Sequence, residues 1–327
     1  NYEAITFLKH LNSIVAQRNP GAMMIAEEST AWPKVTGDVD DGGLGFTYKW
    51  NMGWMHDFLE YMKCDPIFRK YHQNQITFSF MYAYSENYVL VLSHDEVVHL
   101  KKSMIYKMPG TMPEKFGNLR AAYGLMMMHP GKKLLFMGQD FAQTAEWNEA
   151  KSLDWHLLEK YPEHQQLNHY YCDLLHFYQN EPALYELDDS PEGFAWINGS
   201  DAEHNMLTFC RMTKDKKNCL LCHFNFSPVA YENFQSGVLC PGTYTEVFNS
   251  NAAEYGGTGL VNSEPIEAVK ESWDFKDYSI KYHLGAYGVC IFKFDYVEPK
   301  PEEPQKPAKR YTKEDIHKLA GHYKKVK

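Results

Sequence analysis

An α/β chain with about four parallel strands, continued by an all-β sandwich, is the fold class the sequence predicts. Over the first 185 residues, apolar runs that end in polar residues alternate with amphipathic helical stretches, as βα units do. After that the chain turns to short β-branched and aromatic runs separated by Gly, Pro, Asn and Asp. With 44% hydrophobic, 15% aromatic and 23% charged residues among 327, there is material for one large domain and a smaller one.

The elements follow in order. "EAITFLKHLNSIVAQ" places Ile5, Leu8, Leu11 and Val15 on one helical stripe, and Asn19-Pro20-Gly21 ends it. "AMMIAEES" is continuously apolar and ends in two acids, as a buried parallel strand does. "GLGFTYKWN" (43–51) is a possible strand, "NYVLVLSHD" (87–95) a strong one, and "ITFSFMYAY" (76–84) fits either helix or strand. Residues 114–128 read as helix, 132–141 as strand and 164–180 as helix. The strand count suits half of a (β/α)8 barrel, whose chemistry sits at the carboxyl ends of its strands. It also suits a doubly wound sheet, although no G-x-G-x-x-G or P-loop motif is present. "GFAWIN", "MLTFCRM", "NCLLCHFNFS", "GTYTEVFN", "YSIKYHL" and "YGVCIFKFDY" are the all-β runs. The domain limits are therefore 1–185, 186–297, and a Pro-rich charged linker with a basic tail over 298–327.

The formal charge of -9 argues against nucleic-acid and anionic-membrane partners, which need clustered Lys and Arg. The seven cysteines are scattered, and Cys219 and Cys222 form a C-x-x-C inside a strand-like run, where residues three apart face opposite ways. Neither a metal nor a cofactor is expected. Without a secretory leader or a long apolar run, the cytoplasm is the expected compartment. The chain opens at Asn1 in what reads as mid-domain helix, so a fragment of a longer protein is expected.

The stretch "YVLVLSHDEVVHLKKSM" (88–104) ends a strand in Ser93-His94-Asp95-Glu96, with His99 beyond. A zinc-protease H-E-x-x-H fails, because these histidines are five apart and follow a strand. A Ser-His-Asp triad also fails, since neighbours in sequence are not expected to bond in triad geometry. One remaining reading is structural: a polar strand end in which Ser93 or Asp95 caps the next helix. The other is chemical. Glu27 and Glu28 close one strand, His94 and Asp95 another, and acids converging from separate strands are what glycoside chemistry requires. Because neighbours on a strand point opposite ways, only one of Glu27 and Glu28 should face that site.

"MIAEEST", "GLGFTYKWNMGWMHD", "LSHDEVVHLKKSM", "KKLLFMGQDFAQTAEWN" and "SLDWHLL" together resemble bacterial 1,4-α-glucan (glycogen) branching enzymes of the α-amylase superfamily, from residue 1 to about 297. The resemblance implies strands five to eight of the barrel, its second half, followed by the all-β carboxyl-terminal sandwich. It implies Glu27 as general acid/base, and His94 and Asp95 as the pair that grips the distorted sugar. It implies a retaining double displacement in which an α-1,4 link is cut and a glucan 6-hydroxyl receives the chain, making an α-1,6 branch. The substrate would be an α-glucan, and the nucleophilic Asp would lie upstream in the other half of the barrel. Two residues depart from the family pattern: Leu100, where Gly is usual after "DEVVH", and Asp140, where Glu is usual. Trp50, Trp54 and Trp147 are candidates for stacking on sugar rings, whereas His56 and Asp57 read as loop scaffolding.

Overall fold

Four short parallel strands organise the first half of the chain: β1 (Ile25–Ala26), β2 (Tyr48–Trp50), β3 (Tyr88–Leu92) and β4 (Lys132–Leu135), side by side in that order. The computed structural model describes residues 1–298, so the linker and tail expected over 298–327 fall, apart from Glu298, outside the described residues. Register runs Ile25 beside Tyr48, Lys49 beside Tyr88, and Val89 beside Lys132, so all four carboxyl ends lie on one side. β3 is the interior strand with the longest apolar run, and Leu90, Val91 and Leu92 are fully buried.

Helix α1 (Tyr2–Arg18) precedes β1, α2 (Met52–Lys63) follows β2, α3 (Met112–Met128) links β3 to β4, and α4 (Pro162–Asn180) follows β4. Each start has a local cause. The Asn51 side chain accepts the Trp54 N–H at 2.9 Å and caps α2. Thr111 and Glu114 form a capping box on α3, with Pro in its first turn, so that helix begins two residues before the expected 114. α3 is buried almost throughout its length, while the Ile5, Leu8, Leu11 and Val15 stripe of α1 is only half-buried.

All four expected parallel-strand spans are shortened. Residues 30–47 form turns because the Glu86 carboxylate accepts the N–H groups of Val35 and Thr36 at 2.8 and 2.7 Å, leaving only 48–50 extended. β4 stops at Leu135, and Gly138 then turns the chain with φ 84°. The ambiguous 76–84 stretch is two short helical turns, Asn74–Thr77 and Phe78–Met81.

The second half is antiparallel: β5 (Phe194–Asn198), β6 (Met206–Arg211), β7 (Cys219–Asn225), β8 (Tyr231–Val238), β9 (Thr243–Asn249), β10 (Ile266–Glu267), β11 (Tyr278–Leu284) and β12 (Val289–Phe294). Six of these form a sheet in the order β10-β9-β12-β7-β6-β5, and β11 pairs with β8 in a second, two-stranded sheet. One face of the large sheet packs with the small sheet around Cys210, Leu221, Ile280, Tyr282 and Phe292. Its other face sends Phe209, Leu220, Phe224, Val289 and Ile291 into the same core as the parallel strands and α3. A sheet covered on both faces loses the apolar–polar alternation, and β6 and β7 are buried at every position. The cysteines of the C-x-x-C obey strand geometry: Cys219 faces the sandwich core and Cys222 the main core, so the two are not brought together.

Buried cations tie the layers. Arg211 donates to the Met128 and Leu184 carbonyls at 2.7 and 3.1 Å and pairs with Asp188 at 3.1 Å. Arg69 donates to the Phe226 carbonyl at 2.7 Å and to Asn118 at 2.8 Å. Each guanidinium is hydrogen-bonded on several sides, which is the condition for burying that charge. Residues Asn1–Val297 pack as one compact unit.

Candidate active site

The side where the parallel strands end collects the chemistry-bearing residues. β1 ends at Ala26, and the next two side chains diverge as strand geometry requires. Glu28 is committed to the fold: it meets the Lys49 ammonium at 2.7 Å and accepts the Thr30 N–H at 2.7 Å. Burial alone would raise its carboxyl, but the Lys49 and Thr30 hydrogen bonds outweigh that and hold it below the usual range. Glu27 is exposed and takes no hydrogen-bond partner among the described residues. Of the two acids, Glu27 is the one left free.

β3 ends at Leu92 and runs into a tight 3-10 turn, His94–Val97. His94 Nε2 lies 3.1 Å from Asp95 Oδ1, and both side chains are close to half exposed, at 44% and 47%. These sequence neighbours thus form an imidazole–carboxylate pair, although not within a Ser-His-Asp triad. Ser93 is buried and its side chain caps nothing, so neither a triad nor the expected helix cap is built here. The His94 ring stands edge-on to Trp147 at 5.9 Å and tilted to Phe136 at 5.9 Å, with those two rings 5.3 Å apart. An aromatic wall thus orients the imidazole.

The three tryptophans separate. Trp147 belongs to this wall and is half-buried. Trp50, at the end of β2, is also half-buried and keeps part of its surface outside the core. Trp54 is a correction: it is 2% exposed, stacked on Phe58 at 4.7 Å, and has no face to offer a sugar. The cause is the switch from strand to helix at Asn51, after which Trp54 and Phe58 stand one helical turn apart on the buried side. His56 and Asp57 lie on helix α2 and not in a loop, and burial raises the Asp57 carboxyl.

Asp140 accepts the Asn168 side-chain N–H at 2.9 Å, and burial raises its carboxyl. Leu100 is 95% exposed with φ 68°, between His99 at 53° and Lys102 at 70°. The position where the sequence departs from Gly is one whose backbone favours Gly.

Sequence reasoning passed over Glu146, which stands in "TAEWN" just before Trp147. Its carboxylate accepts the Leu100 N–H at 3.0 Å and the Lys102 N–H at 2.6 Å, and the Trp147 N–H reaches the Val97 carbonyl at 2.9 Å. The signal that could have found it is an acid next to a tryptophan in a loop following a strand end. Close by, Lys107 donates to the Lys101 carbonyl at 2.6 Å, and burial pushes its ammonium down to about 8. Among the described residues, no group of three His, Cys, Asp or Glu converges as a metal site needs. No helix among them is long and apolar enough to cross a membrane.

Glu27 after β1 and the His94–Asp95 pair after β3 flank the end of β2, two strand spacings or on the order of 10 Å across. A free carboxyl on one side and an oriented imidazole–carboxylate pair on the other can hold a sugar ring, exchange a proton with a glycosidic oxygen and stabilise positive charge.

Comparison with known proteins adds three findings. Residues 196–295 match the family described as "Alpha amylase, C-terminal all-beta domain". The chain is 50% identical over 293 residues to the 1,4-alpha-glucan branching enzyme GlgB of Halothermothrix orenii, covering 90% of this chain and 46% of that protein. It is 49% identical over 300 residues to the enzyme of the same name from Butyrivibrio fibrisolvens, covering 92% and 47%. It thus spans about half the length of the curated relatives it matches. A crystal structure of an alpha-amylase from H. orenii shares the fold at a TM-score of 0.57, with 15% identity over 90% of this chain and 57% of that one.

Proposed function

From a chain that belongs to the bacterial 1,4-α-glucan branching enzymes, as their carboxyl-terminal portion, we propose a branching glucanotransferase function for the protein that carries it. The fold is of the α-amylase family with an all-β carboxyl-terminal domain. We read β1 to β4 as strands five to eight of a (β/α)8 barrel, divided from the all-β domain near 185, with the linker and tail after 297.

In this reading Glu27 gives its proton to the leaving oxygen as an α-1,4 link breaks. The carboxylate nucleophile is assigned to the other half of the barrel. The His94–Asp95 pair holds the distorted ring and stabilises its developing positive charge, with Trp50 and Trp147 against the sugar. Glu27, now a carboxylate, then takes the proton of an incoming glucan 6-hydroxyl, and an α-1,6 branch results. The partners are an α-glucan and the remaining half of the barrel, and the compartment is the cytoplasm. The observation that carries this is the division of labour after β1: Glu28 is spent on Lys49, while Glu27 is free at the same carboxyl-end side of the sheet from which β3 leads into the His94–Asp95 pair.

The test uses the full-length protein with amylose, followed by iodine staining and a count of α-1,6 linkages. Glu27→Gln should remove branching by about 10³-fold or more while glucan binding persists, because the amide keeps the shape and cannot donate an acidic proton. Glu28→Gln should act on stability and spare the chemistry. Equal catalytic loss from both would overturn the assignment of Glu27. Release of reducing ends without α-1,6 links would show a hydrolase instead.

A further inference from the structure

We propose that Glu146 is a positioning residue for the His94–Asp95 pair, acting by clamping the loop that leaves it. The inference rests on the branching reading for what the pair does, while the clamp itself is read from geometry. Residues 146 and 147 grip the loop at three points: the Glu146 carboxylate holds the N–H groups of Leu100 and Lys102, and the Trp147 N–H holds the Val97 carbonyl. The loop does not keep its shape by local preference. His99, Leu100 and Lys102 all hold left-handed backbone at φ 53°, 68° and 70°, which side chains disfavour. Such a run turns its N–H groups into a concave receptor for an anion, and the anion here is the Glu146 carboxylate.

The consequence passes to the pair through a very short path. His94 and Asp95 sit in a turn of four residues, His94–Val97, held at its start by β3 and at its end by the Val97 carbonyl bond to Trp147. The Trp147 ring meets the His94 ring at 5.9 Å, so one dipeptide fixes both the loop and the wall against which the imidazole lies. Two contacts reinforce the loop: Lys101 lies 3.5 Å from Glu96, and Lys107 donates to the Lys101 carbonyl at 2.6 Å. Release of the carboxylate clamp frees the loop between Val97 and Ser103 and lets the pair turn away from its working orientation.

Glu146→Gln in the full-length protein tests this. The amide keeps the size but aims an N–H at one of the two backbone N–H groups. The expected result is a fall in kcat for amylose branching of about ten- to a hundredfold, the scale of a misplaced catalytic group. KM should stay within about twofold and the melting temperature should hold. Hydrogen exchange at the Leu100 and Lys102 amides should accelerate. Adding Leu100→Gly, which relieves one left-handed position, should restore part of kcat. Unchanged exchange, unchanged kcat, or kcat falling together with melting temperature and KM would each overturn the proposal. The exchange readout needs no activity: lost protection at 100 and 102 supports the clamp even in a protein that makes no α-1,6 links, and that absence would overturn the branching reading instead.

Discussion

Leu100 exposes what one side chain costs when the backbone asks for none. It is 95% exposed, so it gives up no burial, yet it holds φ 68°. A left-handed non-glycine residue costs about 1–2 kcal/mol, against roughly 0.5–1 kcal/mol for the extra chain entropy glycine brings. Leu100→Gly should therefore raise stability by about 0.5–1 kcal/mol, read as a higher urea midpoint; a lower midpoint would refute it. The divergence of Glu27 and Glu28 was legible at this scale, because alternation along a strand needs only two adjacent residues. The burial of Trp54 was not, since it depends on where "KWNMGW" stops being strand, and that is set by the Asn51 cap. The role of Glu146 was not legible for a different reason: its two partners lie more than forty residues earlier in the chain.

Among the elements, α3 is the best test of packing against local preference. Gly124 lies inside it, where Ala would normally gain about 1 kcal/mol in helix propensity. A Cβ there would come within 2.7 Å of Val289 Cγ2 and 3.0 Å of the Tyr170 hydroxyl. Val289 is β-branched, fully buried and fixed in β12, so it cannot swing aside cheaply. Gly124→Ala should lower stability by about 1–3 kcal/mol, since overpacking outweighs propensity, and a stabilised variant would mean that the α3–β12 seam is looser than described. Element types were largely readable from periodicity, as the 114–128 and 164–180 stretches show. Element lengths were not, where a distant residue ends them: Glu86 holds the turns before β2 from about fifty residues away.

At the scale of the molecule, two buried histidines couple the fold to acid. His129 accepts from or donates to Ser79 Oγ at 2.9 Å, and His223 meets the Tyr282 and Thr208 hydroxyls at 2.7 and 2.8 Å. Burial pushes both imidazoles down to about 3. Since the unfolded chain titrates near 6.5, it takes up protons below that pH which the folded chain refuses. The contribution of these two histidines should be flat above about pH 7.5 and should cost stability below 6.5, by up to about 1.4 kcal/mol per pH unit per histidine, until near pH 3. Urea unfolding at pH 7.5, 6 and 5 checks the slope. Two imidazole signals that stay neutral at pH 5 check the cause, and titration of both near 6.5 would refute it.

The six-stranded sheet, covered on one side by its two-stranded partner and on the other by α3, has a consequence for modularity. Phe209, Leu220, Phe224, Val289 and Ile291 belong to the antiparallel strands by sequence and to the core of the parallel strands and α3 by contact. Exchanging the all-β segment between relatives would therefore transplant half of an interior. A chimera joined near residue 185 should fold only when its donor also matches Gly124 and the neighbouring face of α3, so those two stretches should behave as one heritable unit.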